Sequence, residues 1–381
     1  MKNLKILHAP TTVGGNSYYL SKAEKELGYD SYCLAISQNQ FKFPCDEVIL
    51  NGDENIIVSE FKTIITGLKT LFKYDVYHYN FGKSIFSSRP FPKSEKYPKW
   101  KLFVYVNFYA RFSELLDLKI ASKLGRITAI TYNGTDARIY EYCKNNYPIH
   151  FIHNLKNSAY SKHSDKYKKQ RFKVVEKYAD LIYSVNPDLL HYLPSKAKFL
   201  PYTCTDPYSY KPVDKKTGEP VHIIHAPTNR DIKGTKYILE AVEKLKQNGV
   251  KFKFTLVENL TNTEAKKLYE SADILVDQLL AGFYGGLSVE FMSLGKPVIC
   301  YIRDSDLKFL PQKMAQEMPI INAQPNTIYD VLLKNISKNK TELCDIGKQS
   351  RKYVLEWHDP KKVAQKIIDD YKAVAKKKLC K

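Results

Sequence analysis

The stretch IIHAPTNRDIKGTKYILEAVEKL, residues 223–245, runs from an apolar strand through a glycine turn into a segment with apolar residues at helical spacing. That is the opening of a βαβ unit. Residues 5–27, KILHAPTTVGGNSYYLSKAEKEL, follow the same plan with the same His-Ala-Pro-Thr, and their loop to the turn glycine is two residues shorter. Four shared residues alone would be coincidence. The shared strand, turn and helix beyond them make the chain read as two doubly wound halves.

Alternation continues on both sides of these openings. In the first half, strands are expected at DSYCLAI, DVYHYN, RITAITY and LIYSV, with helices near 17–27, over 56–72, at LLDLKIASKLG and near 165–179. In the second half, FKFTLVE, DILVDQL and PVICYI read as strands, while 235–248, TNTEAKKLYESA and SVEFMSLG read as helices. Strand and helix in regular alternation call for parallel sheets covered on both faces, an α/β class with two doubly wound domains. YKPVDKKTGEP, rich in proline and charge, reads as a linker over 209–220. It divides a domain over 1–208 from one over 221–358, and places the strand carboxyl ends of both around a shared cleft. Within 359–381, Val363, Ile367, Tyr371 and Val374 form one stripe, so this helix is expected to dock back on the first domain.

Length and composition agree: 381 residues suit two domains, and 44% apolar with 26% charged residues is ordinary for a globular chain. The seven cysteines lie far apart without a Cys-x-x-Cys pair, which indicates neither a zinc site nor a disulfide framework. No stretch has the run of apolar residues of a signal-peptide core or a membrane span, and the expected compartment is the cytosol.

The formal charge of +20 is uneven. Residues 83–111 carry seven Lys/Arg against one Glu among many aromatics, and residues 154–177 carry eight against Asp165 and Glu176. One reading is a lysine-rich, solubilising surface; the other is a patch that meets an anionic membrane, aromatics at headgroup level and lysines on acidic lipid. Nucleic acid is set aside, because no zinc-finger spacing, RNP-like strand or basic helix beside a heptad seam is present.

Two segments carry candidate chemistry. In NRDIKG, Arg230 and Lys233 stand before a turn glycine that opens a helix, so two cations join helix-end N–H groups in a setting suited to a diphosphate. A solvated loop has the same composition. In GFYGGLSVEFMSLGKPVIC, Gly282, Gly285 and Gly286 let backbone approach a ligand, and Glu290 is read on the first turn of the following helix. There it either caps the helix or accepts hydrogen bonds from vicinal hydroxyls, as an acidic residue does for ribose.

YGGLSVEFMSLGKPVI, the Lys-Gly before a helix, SADILVDQ and the turn NGTDAR together resemble retaining glycosyltransferases of the GT-B fold, the large group 1, family 4-like set with a paired-glutamate motif. The resemblance covers nearly the whole chain. It implies a nucleotide diphosphate sugar as donor, UDP- or GDP-linked, held by the C-terminal domain, and a glycan or lipid-linked acceptor on the N-terminal side at the cytosolic membrane face. Glu290 would bind the nucleotide ribose, and Lys233 with Arg230 would neutralise the departing diphosphate without a required metal or other cofactor. Tyr284, Gly285, Gly286 and Leu287 would form the loop at sugar and phosphate, and Gly14 and Gly15 the first-domain glycine loop near the reaction centre. Two positions depart from the pattern. Gly282 stands where the first glutamate of the pair belongs, and Asn133 where relatives often have histidine. Asn133 would then hydrogen-bond a sugar hydroxyl, with Asp136 orienting Asn133, Arg138 or the acceptor. The alternative is a catalytically silent GT-B-like binding or partner subunit.

Overall fold

A computed structural model describes residues 4–39, 42–86, 113–155, 160–212, 219–258, 262–338 and 340–380. Most of the aromatic and basic stretch 83–111, and positions 213–218 of the expected linker, lie outside the described residues.

Chain contacts define two compact units, and neither is one continuous block. The first comprises residues up to Ala137, Lys168–Cys204 and the segment from Pro360 onward; the second comprises Arg138–Tyr167 and Thr205–Asp359. Residues 138–167 thus belong with the second unit, although the linker reading groups them with the first.

In the first unit, β1 (Lys5–Ala9), β2 (Asp30–Ser37), β3 (Glu47–Leu50), β4 (Val76–Asn80), β5 (Ile127–Tyr132), β6 (Leu181–Ser184) and β7 (Ala197–Phe199) form one sheet in the order β3-β2-β1-β4-β5-β6-β7. Every pairing is parallel, with Ile6 beside Val76 and Tyr77 beside Thr128. Every residue of β4 and β5 is buried, as a sheet with both faces covered requires. The edge strands β3 and β7 have four and three residues, too few for an alternating pattern to stand out in the sequence.

The second unit carries β8 (His222–His225), β9 (Lys253–Leu256), β10 (Ile274–Val276), β11 (Val298–Cys300) and β12 (Ile321–Asn322), also all parallel, in the order β12-β11-β10-β8-β9. Ile223, Ile274, Val276 and Ile299 of the sheet pack with Ile238, Val242, Leu245 and Leu332 of flanking helices. Strand order reverses between β1 and β4 in the first sheet and between β8 and β10 in the second. Such reversals part the loops at the strand carboxyl ends and open a crevice there.

The repeated His-Ala-Pro-Thr has a structural explanation in each unit. His8 at the end of β1 reaches helix α1 (Asn16–Glu26) through Glu24, Nε2 to Oε2 at 2.8 Å. His225 at the end of β8 reaches the helix Thr235–Gln247, its Nε2 lying 2.8 Å from the Thr235 hydroxyl. The Nδ1–H of His225 donates to the Val276 carbonyl at 2.7 Å, which fixes the tautomer and leaves Nε2 to accept. Burial holds the His225 imidazole down at about 4, so it stays neutral near pH 7. In both copies the histidine straps a strand end to the helix that follows.

The helix Pro360–Leu379 completes the first unit. Val363, Ala364, Ile367, Ile368 and Tyr371 are buried against Ile6, Leu20, Val76, Ile127 and Ala129, and Val374 is partly buried. Asp370 accepts from the Tyr183 hydroxyl at 2.8 Å and from Lys198 at 2.9 Å. Tyr371 places its hydroxyl 2.6 Å from His78 Nδ1. Replacing Ile367 with alanine should therefore cost about 2–5 kcal/mol, read as a lower urea midpoint at unchanged slope; an unchanged midpoint would remove this helix from the core.

Candidate functional site

In the second unit the switch point lies between the loops that follow β8 and β10. After β8, NRDIK is not an open loop: Arg230–Lys233 forms one helical turn, with the Asn229 side chain accepting from the Ile232 N–H at 3.0 Å. Gly234, at φ 76°, ends this turn and admits the next helix at Thr235. The Leu279 N–H donates to the Lys233 carbonyl at 3.0 Å and ties the turn to the loop after β10.

Asp277, the first residue past β10, is the centre of the arrangement and was not singled out in the sequence. Its carboxylate is 2% exposed. Oδ1 accepts from Lys233 Nζ at 2.6 Å; Oδ2 accepts from the Gly285 N–H at 2.9 Å and the Ser288 hydroxyl at 2.7 Å. Burial pushes this carboxyl upward, but the Lys233 ammonium with its hydrogen bond, Ser288 and the Gly285 amide outweigh it and hold Asp277 below the usual carboxylate range. One aspartate thus joins Lys233 to the opening of the helix Gly286–Ser293. Lys233 is 13% exposed at its side chain, and among the described residues its ammonium hydrogen-bonds Asp277 alone. A Cβ on Gly285 would stand 3.6 Å from that ammonium.

Arg230 does not share this cluster. Its guanidinium clamps Glu258 through two hydrogen bonds of 2.8 and 2.5 Å on the surface. Gly286 and Leu287 form the first turn of the helix behind Gly285. The Tyr284 side chain is fully buried, its hydroxyl 2.8 Å from His358 Nε2 and 3.1 Å from the Tyr353 hydroxyl. It anchors the loop whose backbone carries Gly285.

Glu290 sits one turn deeper than the sequence suggests. The helix begins at Gly286 and Gly285 occupies the cap position, so Glu290 caps nothing. Its Oε2 accepts from the Tyr210 hydroxyl at 3.2 Å, and Lys266 stands over the Tyr210 ring at 5.8 Å. Burial raises the Glu290 carboxyl above its ordinary value; Lys266 and the Tyr210 hydrogen bond offset only part of the rise.

Gly282 also has a local cause. With φ at 83°, a Cβ there would lie 2.5 Å from the Arg303 guanidinium. That guanidinium stacks on the Tyr147 ring at 3.6 Å, donates to Asp306 at 2.8 Å and reaches the Ile149 carbonyl at 3.3 Å. Where the resemblance calls for a carboxylate, this chain packs a cation. Residues 138–167 supply its platform: Cys143, Tyr147, Phe151, Ile152 and Tyr160 pack with Leu280 and Ala281, and the Phe151 N–H donates to the Leu280 carbonyl at 3.2 Å. Lys296 of the Gly-Lys-Pro turn is structural, its ammonium donating to the carbonyls of Tyr269, Glu270 and Ala272 at the end of the helix Asn262–Ser271.

The first unit has its own cluster at the ends of β1 and β5. Gly14 and Gly15 both adopt φ of 75°, and a Cβ on Gly15 would meet the Cys204 carbonyl at 2.9 Å. Asn133 Nδ2 donates to the Val13 carbonyl at 3.2 Å, which brings Asn133 to the glycine loop. Asp136 fixes the turn by accepting from the N–H groups of Asn133 at 3.1 Å and Gly134 at 2.6 Å. Asn186, another residue outside the sequence reading, donates to the Asn133 carbonyl at 2.5 Å. Asn16 Oδ1 accepts from the Thr203 N–H at 2.8 Å. Among the described residues, Asn16 Nδ2 and Asn133 Oδ1 are buried without a hydrogen-bond partner, one a donor and the other an acceptor.

No sequence family matches the chain, and no curated protein matches it in sequence. Solved structures do. A glycosyltransferase from Rickettsia africae ESF-5 superposes with a TM-score of 0.58 at 14% identity, covering 99% of this chain and 100% of that one. Sucrose-phosphate synthase from Thermosynechococcus elongatus gives 0.57 at 12% identity, covering 97% and 98%. The catalytic domain of starch synthase IV from Arabidopsis thaliana, bound to ADP and acarbose, gives 0.56 at 9% identity, covering 98% and 99%. At such identities the likeness is one of fold, and that fold, built from two parallel α/β units, is GT-B, the fold of glycosyltransferases.

Proposed function

We propose that the protein is a retaining glycosyltransferase that takes a sugar from a nucleotide diphosphate donor, UDP- or GDP-linked, and passes it to a glycan or lipid-linked acceptor at the cytosolic membrane face. The observation that carries this reading is the meeting of Lys233, the Gly285 loop and the helix bearing Glu290 at the switch point of the second sheet. A diphosphate there meets an ammonium with one of its three donors engaged by Asp277, together with the opening amides of a helix. Glu290, one turn along the same helix, faces the ribose and accepts from its vicinal hydroxyls. The ADP bound to the starch synthase domain of the same fold supports a nucleotide ligand.

In this reading the sugar departs through an oxocarbenium-like transition state and the acceptor attacks the same face. The developing charge lies on the leaving diphosphate. Lys233 and the loop amides stabilise it from fixed positions, a task that needs no metal ion. Arg230, paired with Glu258 on the surface, serves the donor only by exchanging that partner for phosphate. In the first unit, Gly14 and Gly15 shape the acceptor side, Asp136 holds the turn, and Asn16 Nδ2 with Asn133 Oδ1 offer one donor and one acceptor to a hydroxyl. A second reading, a silent GT-B-like partner subunit, draws on the fact that Lys233 and Arg230 are each already paired with a carboxylate. Turnover of a nucleotide-sugar panel, with the anomeric configuration of the product read by NMR, separates the two: binding without transfer supports the silent subunit, and an inverted product ends the retaining mechanism.

Lys233→Ala alone would strand a buried carboxylate, so its effect is best read on an Asp277→Asn background. There it should lower kcat by about a hundredfold relative to Asp277→Asn, and equal rates would remove Lys233 from the reaction. Glu290 binds hydroxyls as the carboxylate, and its carboxyl is raised by burial. Donor affinity should therefore be full above that raised value and fall as pH drops through it, and Glu290→Gln should bind about tenfold more weakly with the pH dependence gone. Calorimetric titration against pH tests this, and a parallel pH profile in the variant would refute the ribose role. Chelation with EDTA should leave the transfer rate unchanged; a loss restored by added magnesium would contradict catalysis by Lys233 and amides.

A further inference from the structure

Helix α2 (Ile56–Leu71) of the first unit is turned inside out. The face it buries carries Ser59, Thr63, Gly67 and Thr70, with Leu71 buried at its end, while Ile57, Phe61 and Leu68 on the opposite face and Phe72 just past the helix are 76, 65, 51 and 71% exposed. Val58 beside them is 39% exposed. The burial of hydroxyls is self-consistent: Thr63 Oγ1 donates to the Ser59 carbonyl at 2.7 Å and Thr70 Oγ1 to the Gly67 carbonyl at 2.9 Å, so neither needs a partner elsewhere. Gly67 allows the close approach, since a Cβ there would stand 2.5 Å from the Phe86 ring. An ordinary surface helix does the reverse and hides its large apolar side chains.

The border of this stripe is basic. At 100° per residue, Lys62 and Lys69 fall along one edge of the apolar face and Glu60 lies across it, while Lys73 follows two residues past the helix end. Lys62 donates to Glu54 at 2.8 Å, and the Lys73 ammonium lies 5.5 and 5.4 Å from the Tyr32 and Tyr74 rings. A helix with exposed Ile, Phe and Leu bordered by lysines matches a bilayer interface, where the apolar face enters to a depth of about 5–10 Å and lysine stems carry their charges to the headgroups. A second copy of the chain fits poorly. It would bring together two molecules of formal charge +20.

We propose that α2 is a docking face for an anionic lipid bilayer, with Ile57, Phe61, Leu68 and Phe72 entering the interface and Lys69 and Lys73 meeting acidic headgroups. The assignment concerns the first unit alone and does not depend on donor binding in the second. Co-sedimentation of the full chain with vesicles tests it, using phosphatidylcholine mixed with phosphatidylglycerol and, separately, phosphatidylcholine alone. The protein should partition onto the mixed vesicles. Phe61→Ser with Leu68→Ser should weaken that partition by about tenfold or more without lowering the thermal midpoint, because both side chains already face solvent. Phe72→Ser, past the last helical residue, gives a second measurement where the pair disturbs folding. Lys69→Glu with Lys73→Glu should abolish the preference for phosphatidylglycerol. Protein that stays in the supernatant, serine variants that bind as the parent does, equal binding to both vesicles, or a dimer that the serine variants dissociate would each overturn the proposal.

Discussion

A single buried carboxylate organises the second unit. Asp277 is withdrawn from water, and a lone charge in that position would cost several kcal/mol; it persists because Lys233, Ser288 and the Gly285 amide occupy its lone pairs. Those three partners come from the turn after β8 and from the loop and helix after β10, the two segments that strand reversal brings side by side. The aspartate therefore fixes where the lysine points and how the glycine loop enters its helix. The same ion pair balances the charge of the lysine, whose side chain is 13% exposed.

The architecture was legible because it rests on local signals. Strand, glycine and helix recur at His8 and at His225, and the fully buried β5, ITAITY, reads as a strand through its β-branched residues. That Lys233 and Gly285 each stand between a strand end and a helix was legible for the same reason. Asp277 was visible in SADILVDQ but hidden by its setting. An acid after an apolar strand reads as a loop residue until the lysine it meets, 44 positions earlier, is placed beside it.

Other features depend on contacts that no local pattern encodes. Arg303 accounts for Gly282 only after Tyr147, from a distant stretch of chain, supplies the ring beneath it. Glu290 was misplaced by a turn because GlyGly looks like loop, whereas Gly286 is already helical. Helix α2 misleads for the opposite reason. Its mixed apolar and hydroxyl sequence reads as a helix, but which side faces inward is settled by Gly67 against Phe86 and by threonines that bond to their own helix.

The last helix supplies Ile367 and Tyr371 to the same core as Ile6 and Val76. During synthesis, β1 leaves the ribosome long before the residues that cover it. The first unit thus remains open on one side until the second has been made, and any nascent chain halted between the units holds an uncovered apolar sheet face exposed to aggregation or chaperone capture. Order of emergence and order of completion are reversed: the domain that begins first finishes last.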